Sequence, residues 1–178
     1  MAATFALLGV AVFTLLITQE GRVVTEEGYT QAENQVQQLS AMAADLIQQR
    51  TQAEMRMAGL TGIPSQDVIS RNSNAAVQSF PGQIVLMEEG APQVLFTTFA
   101  QSRLDSFFGD ILNKRTQQKF SIGGRSNTYI VYKQDIRFGR ETKSVEGFFM
   151  VRRALLMAPY DKVISQLWFF SFLGLFLL

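Results

Sequence analysis

The two ends of this chain are hydrophobic and carry no charge. All 31 Lys, Arg, Asp and Glu side chains of the 178-residue sequence lie between Glu20 and Lys162. Apolar stretches without any charge are typical of segments that enter a lipid bilayer. The sequence therefore predicts a charged middle part between two membrane segments, with the lipid membrane as a partner.

The first membrane segment is predicted as a transmembrane helix over residues 1–18. Residues 1–17 contain no charge, and their number falls within the range that spans a bilayer as a helix. The alternative is a signal peptide, which needs a basic start and a small-x-small cleavage site. No Lys or Arg precedes Arg22, and the segment leaves through Ile17 and Thr18, so we favour the membrane helix.

The second segment, residues 161–178, is predicted as the start of another transmembrane helix. The aromatic residues 168–170 lie where side chains of this type mark a membrane interface. Pro159 is expected to mark the start of this helix or a kink in it. An amphipathic core helix is the alternative, but residues 173–178 offer no polar face. Because no charge closes the segment, we expect the chain to be cut inside this second span.

Two spans place everything between them on one side of the membrane. The basic cytoplasmic flanks that would fix the orientation are absent from the sequence. A folded domain of this size is compatible with translocation. We therefore expect the middle part to be periplasmic or extracellular, on a cell inner membrane.

The composition removes several classes of chemistry. The chain contains no Cys and no His, which excludes disulfides, Cys- or His-ligated metals, thiol nucleophiles and His-dependent catalytic triads. Glu88 and Glu89 lie in a predicted turn, and Gly123-Gly124 lacks the Lys-Ser/Thr pair of a phosphate loop. The net charge of +1 gives no electrostatic reason to expect nucleic acid. We predict no catalytic residues, no metal and no cofactor.

A heptad pattern follows the first segment and defines a helical stalk over residues 19–64. Its a and d positions form a predicted dimer seam: Val36, Leu39, Ala43, Leu46, Arg50, Ala53, Met57 and Leu60. Such a repeat is typical of a coiled coil, and we interpret it as a parallel homodimer. Alternatively, one amphipathic helix packs this stripe onto its own domain, and both interpretations can hold together. Arg50 would destabilise the seam unless an acidic group took its charge.

The middle part, residues 65–160, alternates helical and strand patterns. A helix is predicted over 66–79, strands over 83–87 and 93–98, a helix over 101–118, and strands over 128–136 and 145–156. The order predicts an α+β domain, in which a long N-terminal helix precedes a small antiparallel sheet with helices on one side.

This layout resembles the extracytoplasmic single-Cache, PAS-like sensor domains of bacterial transmembrane receptors. The resemblance is carried by the order of elements and by the tail GFFMVRRALLMAPYDKVI, where a last strand leads into a membrane helix. It covers most of residues 31–178. It implies a ligand pocket on the sheet, for which the candidates are Arg125, Tyr129, Tyr132, Lys133 and Arg152, since Tyr and Arg could hold a carboxylate. Alternatively, the tyrosines are ordinary strand residues and the cations lie on the surface.

The function expected from the resemblance is sensing. The chain would be the sensor region of a histidine kinase, diguanylate cyclase or chemoreceptor and would relay a small-molecule or envelope signal to a cytoplasmic output domain. The alternative is a bitopic membrane scaffold or assembly protein without a signalling role. An enzyme ranks third, because no catalytic constellation is recognisable.

Overall fold

The structure, a computed structural model, describes residues 2–60, 64–124, 127–138 and 144–176, and describes no side chains at residues 1–18, 20, 24, 167 and 170–178. Its elements are α1 (Ala2–Met57), α2 (Gln66–Val77), β1 (Gln83–Glu88), β2 (Val94–Thr97), α3 (Gln101–Lys114), β3 (Lys119–Ile122), β4 (Tyr129–Arg137), β5 (Ser144–Arg152) and α4 (Arg153–Phe176). The α+β class with an antiparallel sheet is confirmed.

The five strands form one antiparallel sheet in the order β2-β1-β5-β4-β3. β4 and β5 pair over nine positions, from Tyr129 opposite Arg152 to Arg137 opposite Ser144. β5 lies at the centre, and each of its residues except the last is buried. Because side chains alternate between the two faces of a strand, this burial means that both faces of the sheet are covered. The sequence predicted helices on one side only, and that expectation was wrong.

We call one side of the sheet the α3 face. Tyr129, Val131, Phe148 and Met150 point to it and form one hydrophobic cluster with Leu104 and Ile111 of α3, among other residues. Several aromatic rings pack against one another within it. Phe120 meets Phe148 with ring centroids 6.3 Å apart in an edge-on arrangement, a geometry that adds to the burial of the two rings.

The opposite side, which we call the α1 face, carries Tyr132, Gln134 and Phe149. Gln134 Nε2 donates to Ser40 Oγ of α1 at 3.0 Å, which places this helix over the face. Phe80, just after α2, lies edge-on to Phe149 with centroids 5.3 Å apart.

The part of α1 that covers this face buries one stripe: Val36, Ser40, Ala43, Ala44, Ile47, Thr51 and Met55. The helix ends in a Schellman arrangement, in which Leu60 N donates to Met55 O at 2.9 Å and Gly59 N to Arg56 O at 3.2 Å. Gly59 has a φ of 65°, which glycine adopts without strain. The helix therefore stops seven residues before the predicted stalk end at residue 64.

The structure divides the predicted seam between two environments. Val36 and Ala43 belong to the buried stripe, and Leu39 and Leu46 are half-buried. Arg50, Ala53, Met57 and Leu60 are exposed. The stripe that packs on the domain is rotated from the predicted seam, because the sheet needs cover over a wide apolar face.

Three boundaries differ from the sequence prediction. The predicted helix over 101–118 ends at Lys114, and residues 119–122 form an edge strand whose Phe120 and Ile122 are buried. Four residues of alternation are too few to stand out in a sequence. Residues 153–156 begin α4 instead of continuing the last strand, so Pro159 lies inside that helix and does not begin it. α1 also runs through Gly21 and Gly28 without a break.

The chain divides into two compact units, Gln35–Arg153 and the combination of Met1–Asn34 with Ala154–Leu178. In the second unit, Gly28 of α1 lies against Tyr160 of α4, so closely that a methyl group at position 28 would overlap the tyrosine ring. Within the described part of the chain, no helix has a stretch both long and apolar enough to cross a membrane. The side chains of residues 1–18 and 170–178, on which most of the predicted spans fall, lie outside the described residues.

Candidate functional site

An open cleft lies along β2, the edge strand that follows the β1–β2 turn, between α2 and α3. Its volume is about 640 Å³, within the range of small-molecule sites. The lining combines polar and apolar side chains: Gln66, Ser70, Asn74, Val94, Leu95, Phe96, Thr97, Gln101, Leu104, Asp105 and Phe108. The cleft lies wholly within the unit Gln35–Arg153.

Two helices present polar side chains to the cleft at helical spacing. Gln66, Ser70 and Asn74 are four residues apart along α2, so they lie on one side of that helix. Gln66 Nε2 donates to the main-chain oxygen of Leu95 at 3.2 Å, which ties the start of α2 to the outer edge of β2. On α3, Gln101 Nε2 donates to Asp105 Oδ1 at 2.9 Å.

The chemistry of this lining is that of a neutral-to-acidic site. The amides of Gln66, Asn74 and Gln101 and two hydroxyl groups can donate and accept hydrogen bonds. Among the described residues that line the cleft, Asp105 is the one with a formal charge, and none is Lys or Arg. Leu104 is buried in the α3-face core and Phe108 packs against that core, so the cleft floor belongs to the rigid part of the domain. The arrangement favours a molecule with donor groups or a positive charge over a carboxylate.

Of the five residues predicted from the sequence to bind a ligand, the structure brings Tyr129 and Arg152 together. The Tyr129 ring is 3% exposed and packs edge-on against Phe99 and Phe107, with centroids 5.6 and 5.5 Å away. Arg152 Nε donates to the Tyr129 hydroxyl at 3.0 Å, and its guanidinium lies 5.7 Å from the ring centroid. Tyr129 is thus a core residue whose hydroxyl reaches an exposed arginine.

The other predicted residues lie elsewhere. Tyr132 is buried on the α1 face, three residues along β4 from Tyr129 and therefore on the opposite side of the sheet. Lys133 points to the α3 face and pairs with Glu146, Nζ to Oε1 at 2.9 Å. Arg125 lies outside the described residues. The ligand role of this set stays a prediction, since among the described residues it does not form one site.

Glu146 is the centre of a buried ion cluster at the far end of the α3 face. Its carboxylate, 7% exposed, accepts from Arg115 as well as from Lys133. Asp135 lies 3.6 Å from Lys133 and is 43% exposed. The two cations and the carboxylate link the end of α3 to β4 and β5, so the cluster stabilises the packing of α3 on these strands.

Two carboxyl groups, those of the half-buried Glu54 and the exposed Glu89, have a lowered pKa. Hydrogen bonds from the Asn72 amide and from Arg71 lower the pKa of Glu54, and they connect α1 to α2. The hydroxyl and main-chain N–H of Ser144 lower the pKa of Glu89. Across the described residues, no three acidic side chains gather closely enough to hold a metal ion.

Sequence reasoning missed the cleft. The signal that could have found part of it is the i, i+4, i+8 spacing of Gln66, Ser70 and Asn74 on a predicted helix. The same spacing is typical of the solvent-facing side of any helix. Only the position of α2 beside β2 makes this side line a cleft.

No protein-family model matches this chain, and neither the curated proteins nor the solved structures contain a significant match to it.

Proposed function

We propose that this chain is the extracytoplasmic sensor region of a membrane-bound signalling receptor of the histidine kinase, diguanylate cyclase or chemoreceptor type. The observation that carries the proposal is the cleft between α2, β2 and α3. Its ligand is a small polar molecule that carries an amine.

The cleft supports ligand binding by its size and lining. A volume of about 640 Å³ accommodates a small metabolite. Asp105 supplies a negative charge, and the amides of Gln66, Asn74 and Gln101 supply directional hydrogen bonds. A charge-assisted bond between an ammonium group and Asp105 would be the strongest single interaction available there.

The order of elements supports a sensor. The five-stranded antiparallel sheet, with a long N-terminal helix before it, supports a sensor domain of the kind that the sequence resemblance implies. The chain passes from β5 at Arg152 into α4 at Arg153 without an intervening loop. A displacement of β5 would therefore reach α4 through a single peptide bond.

The membrane part of the proposal depends on the sequence. Residues 1–17 and 163–178 contain no charge, and all ionisable residues lie between them. Of these segments, residues 2–17 lie in α1 and residues 163–176 lie in α4. We place them in a cell inner membrane as the ends of two transmembrane helices, with the domain on the outer side.

The mechanism is a shift between two conformations. A ligand that binds one conformation of the domain more tightly changes their populations by the ratio of its two affinities. In this receptor the conformational change on ligand binding would be transmitted through β5 and α4 to a cytoplasmic output domain.

The test is a thermal-shift screen on the full chain in detergent with three sets of small molecules: amines, neutral amides and carboxylates. An amine that binds should raise the unfolding midpoint by about 5 °C or more at a hundredfold excess over its Kd. Asp105→Asn should weaken that binding at least tenfold, because it removes the charged hydrogen-bond partner.

The matched control is Asp110→Asn, which changes an exposed acid on the same helix outside the cleft and should leave the affinity unchanged. A rise in the unfolding midpoint with carboxylates alone would overturn the assignment of an amine as the ligand. Failure of all three sets would favour the bitopic scaffold, which binds other envelope proteins and has no ligand.

A further inference from the structure

The exposed side of α1 between residues 39 and 53 carries an apolar stripe that the domain does not fully cover. Met42 is 66% exposed, beside the half-buried Leu39 and Leu46 and the exposed Ala53. Large apolar side chains grouped on one side of a surface helix mark an interaction site more often than isolated ones do.

This stripe has a heptad spacing of its own. Leu39, Met42, Leu46, Gln49 and Ala53 follow one another at steps of 3, 4, 3 and 4 residues. Steps of this kind bring the a and d positions of a helix to one seam. This seam lies on a different side of α1 from the stripe of Val36, Ala43 and Ile47 that is buried on the sheet. α1 can therefore pack on the sheet and on a second helix at the same time.

The heptad position of Arg50 differs between the two seams. In a seam through Val36 and Ala43, Arg50 occupies a core position, where an unpaired guanidinium is unfavourable. In the seam through Leu39 and Leu46, Arg50 takes an e position and Asp45 takes the g position of the preceding heptad. Both side chains are exposed. The g-to-e step of five residues is the one that forms salt bridges between the helices of a parallel coiled coil.

We infer that the face of α1 formed by Leu39, Met42, Leu46, Gln49 and Ala53 binds a second copy of this chain as a parallel helix pair. Asp45 of each copy pairs with Arg50 of the partner subunit on both sides of the seam. The seam is self-complementary in spacing and in charge, which is what identifies a second copy as the occupant. The inference is independent of the cleft and of its ligand.

The absence of cysteine from the sequence makes the test direct. Leu39→Cys, Leu46→Cys and Ala53→Cys are introduced one at a time into the full chain in membranes, and disulfide formation is measured under mild oxidation. A parallel pair brings each position against itself, so all three variants should form a dimer. Gln37→Cys, exposed at an f position away from the seam, should not. Unfolding midpoints of the reduced variants check that each one folds.

A charge exchange tests the orientation and the salt bridge together. In the Leu46→Cys chain, Asp45→Arg and Arg50→Asp should each raise the dimer dissociation constant about tenfold, because two exposed attractive pairs become repulsive. The double exchange should restore dimer formation. Both residues are exposed, so neither change should alter folding of the monomer.

Three results would overturn the inference. Dimer formation by Gln37→Cys as efficient as that of Leu46→Cys would show that the contact is not at this seam. Dimer formation by only one of the three seam variants would show an antiparallel crossing. Cross-linking to a different protein instead of a second copy would assign the stripe to another partner.

Discussion

The two faces of the sheet are covered in different ways. On the α3 face, aromatic rings such as Phe120, Tyr129 and Phe148 fill the core, and the charged groups at its end, Arg115, Lys133 and Glu146, are paired. On the α1 face, the helix contributes small and hydroxyl side chains. Ser40 is bonded to Gln134, whereas the hydroxyl of Thr51, fully buried, has no partner among the described residues.

The difference indicates where the domain is firmly held. A hydrophobic cluster with several aromatic rings and a paired ion cluster connect α3 with β4 and β5. α1 is held by aliphatic packing and by separate hydrogen bonds, such as Gln52 Nε2 to Arg137 O at 3.1 Å. We expect that α1, held by aliphatic packing and separate hydrogen bonds, is displaced from the sheet at a lower free-energy cost than α3. The predictions below test this contrast.

The largest effect is expected from Phe148→Ala on the α3 face. Phe148 is fully buried in the hydrophobic cluster of the α3 face and lies edge-on to Phe120, so its removal leaves a cavity in a well-packed core. The free energy of unfolding should fall by about 3–5 kcal/mol in urea denaturation of the full chain. Asn113→Ala, an exposed change on α3, is the control and should have little effect. A loss of less than about 1 kcal/mol for Phe148→Ala would show that this face is not rigid.

The next effect is expected from Glu146→Gln, which removes the shared partner of Arg115 and Lys133. Two cations are then left close together with little access to water, and the free energy of unfolding should fall by about 3 kcal/mol. Asp135→Asn changes the exposed acid beside Lys133 and should cost less than about 1 kcal/mol. Equal effects of the two variants in denaturation experiments would argue against a specific role for Glu146.

On the α1 face we expect a substitution that stabilises the protein. Thr51→Val keeps the shape of the side chain and removes a buried hydroxyl without a partner, so the free energy of unfolding should rise by about 1 kcal/mol. Thr51→Ser retains the hydroxyl, removes a methyl group, and should destabilise instead. If thermal unfolding shows Thr51→Val to be destabilising, the hydroxyl has a role that the described contacts do not include.

The smallest effect concerns pH and the tie between α1 and α2. Because the pKa of Glu54 is lowered in the folded state, its contribution to stability is present above the usual pKa near 4.5 and is lost as the pH falls through the lowered value. Glu89 contributes in the same direction. Unfolding of Glu54→Gln, measured between about pH 5 and pH 3, should therefore depend less steeply on pH than that of the unchanged chain.

Asn72→Ala refines this last test. It retains the Glu54 carboxyl and removes the hydrogen bond that contributes most to the lowered pKa, so it should flatten the pH dependence partly. If the free energy of unfolding of Glu54→Gln depends on pH as steeply as that of the unchanged chain, Glu54 does not contribute to this pH dependence.

Much of the fold was predictable because local patterns carried it. Alternating and β-branched residues placed β1, β2 and most of β4. The heptad pattern predicted a long amphipathic α1, whereas the homodimer inferred from it stays a prediction. β3 was missed because four residues follow a helix without a clear break. The start of α4 was missed because Leu155 and Leu156 fit a strand as well as a helix. In the structure the helix begins at Arg153, whose N–H donates to Thr128 O just before β4.

The candidate site was less predictable than the fold. Tyr129 and Tyr132 look equivalent in the sequence, but the pleat places them on opposite faces of the sheet. Lys133 looked like a free cation, but Glu146, thirteen residues away along the chain, pairs with it across β4 and β5. The cleft depends on α2 and α3 meeting beside the edge strand, which no local pattern records.

The sequence by itself determined the distribution of charge, the class of the domain, the long amphipathic helix and the absence of His and Cys chemistry. These follow from composition and from periods of two and of three to four residues, which are local. Only the tertiary structure decided which stripe of α1 is buried, which cations are paired and where the cleft lies. Those outcomes depend on the order β2-β1-β5-β4-β3, which brings together residues that are distant along the chain.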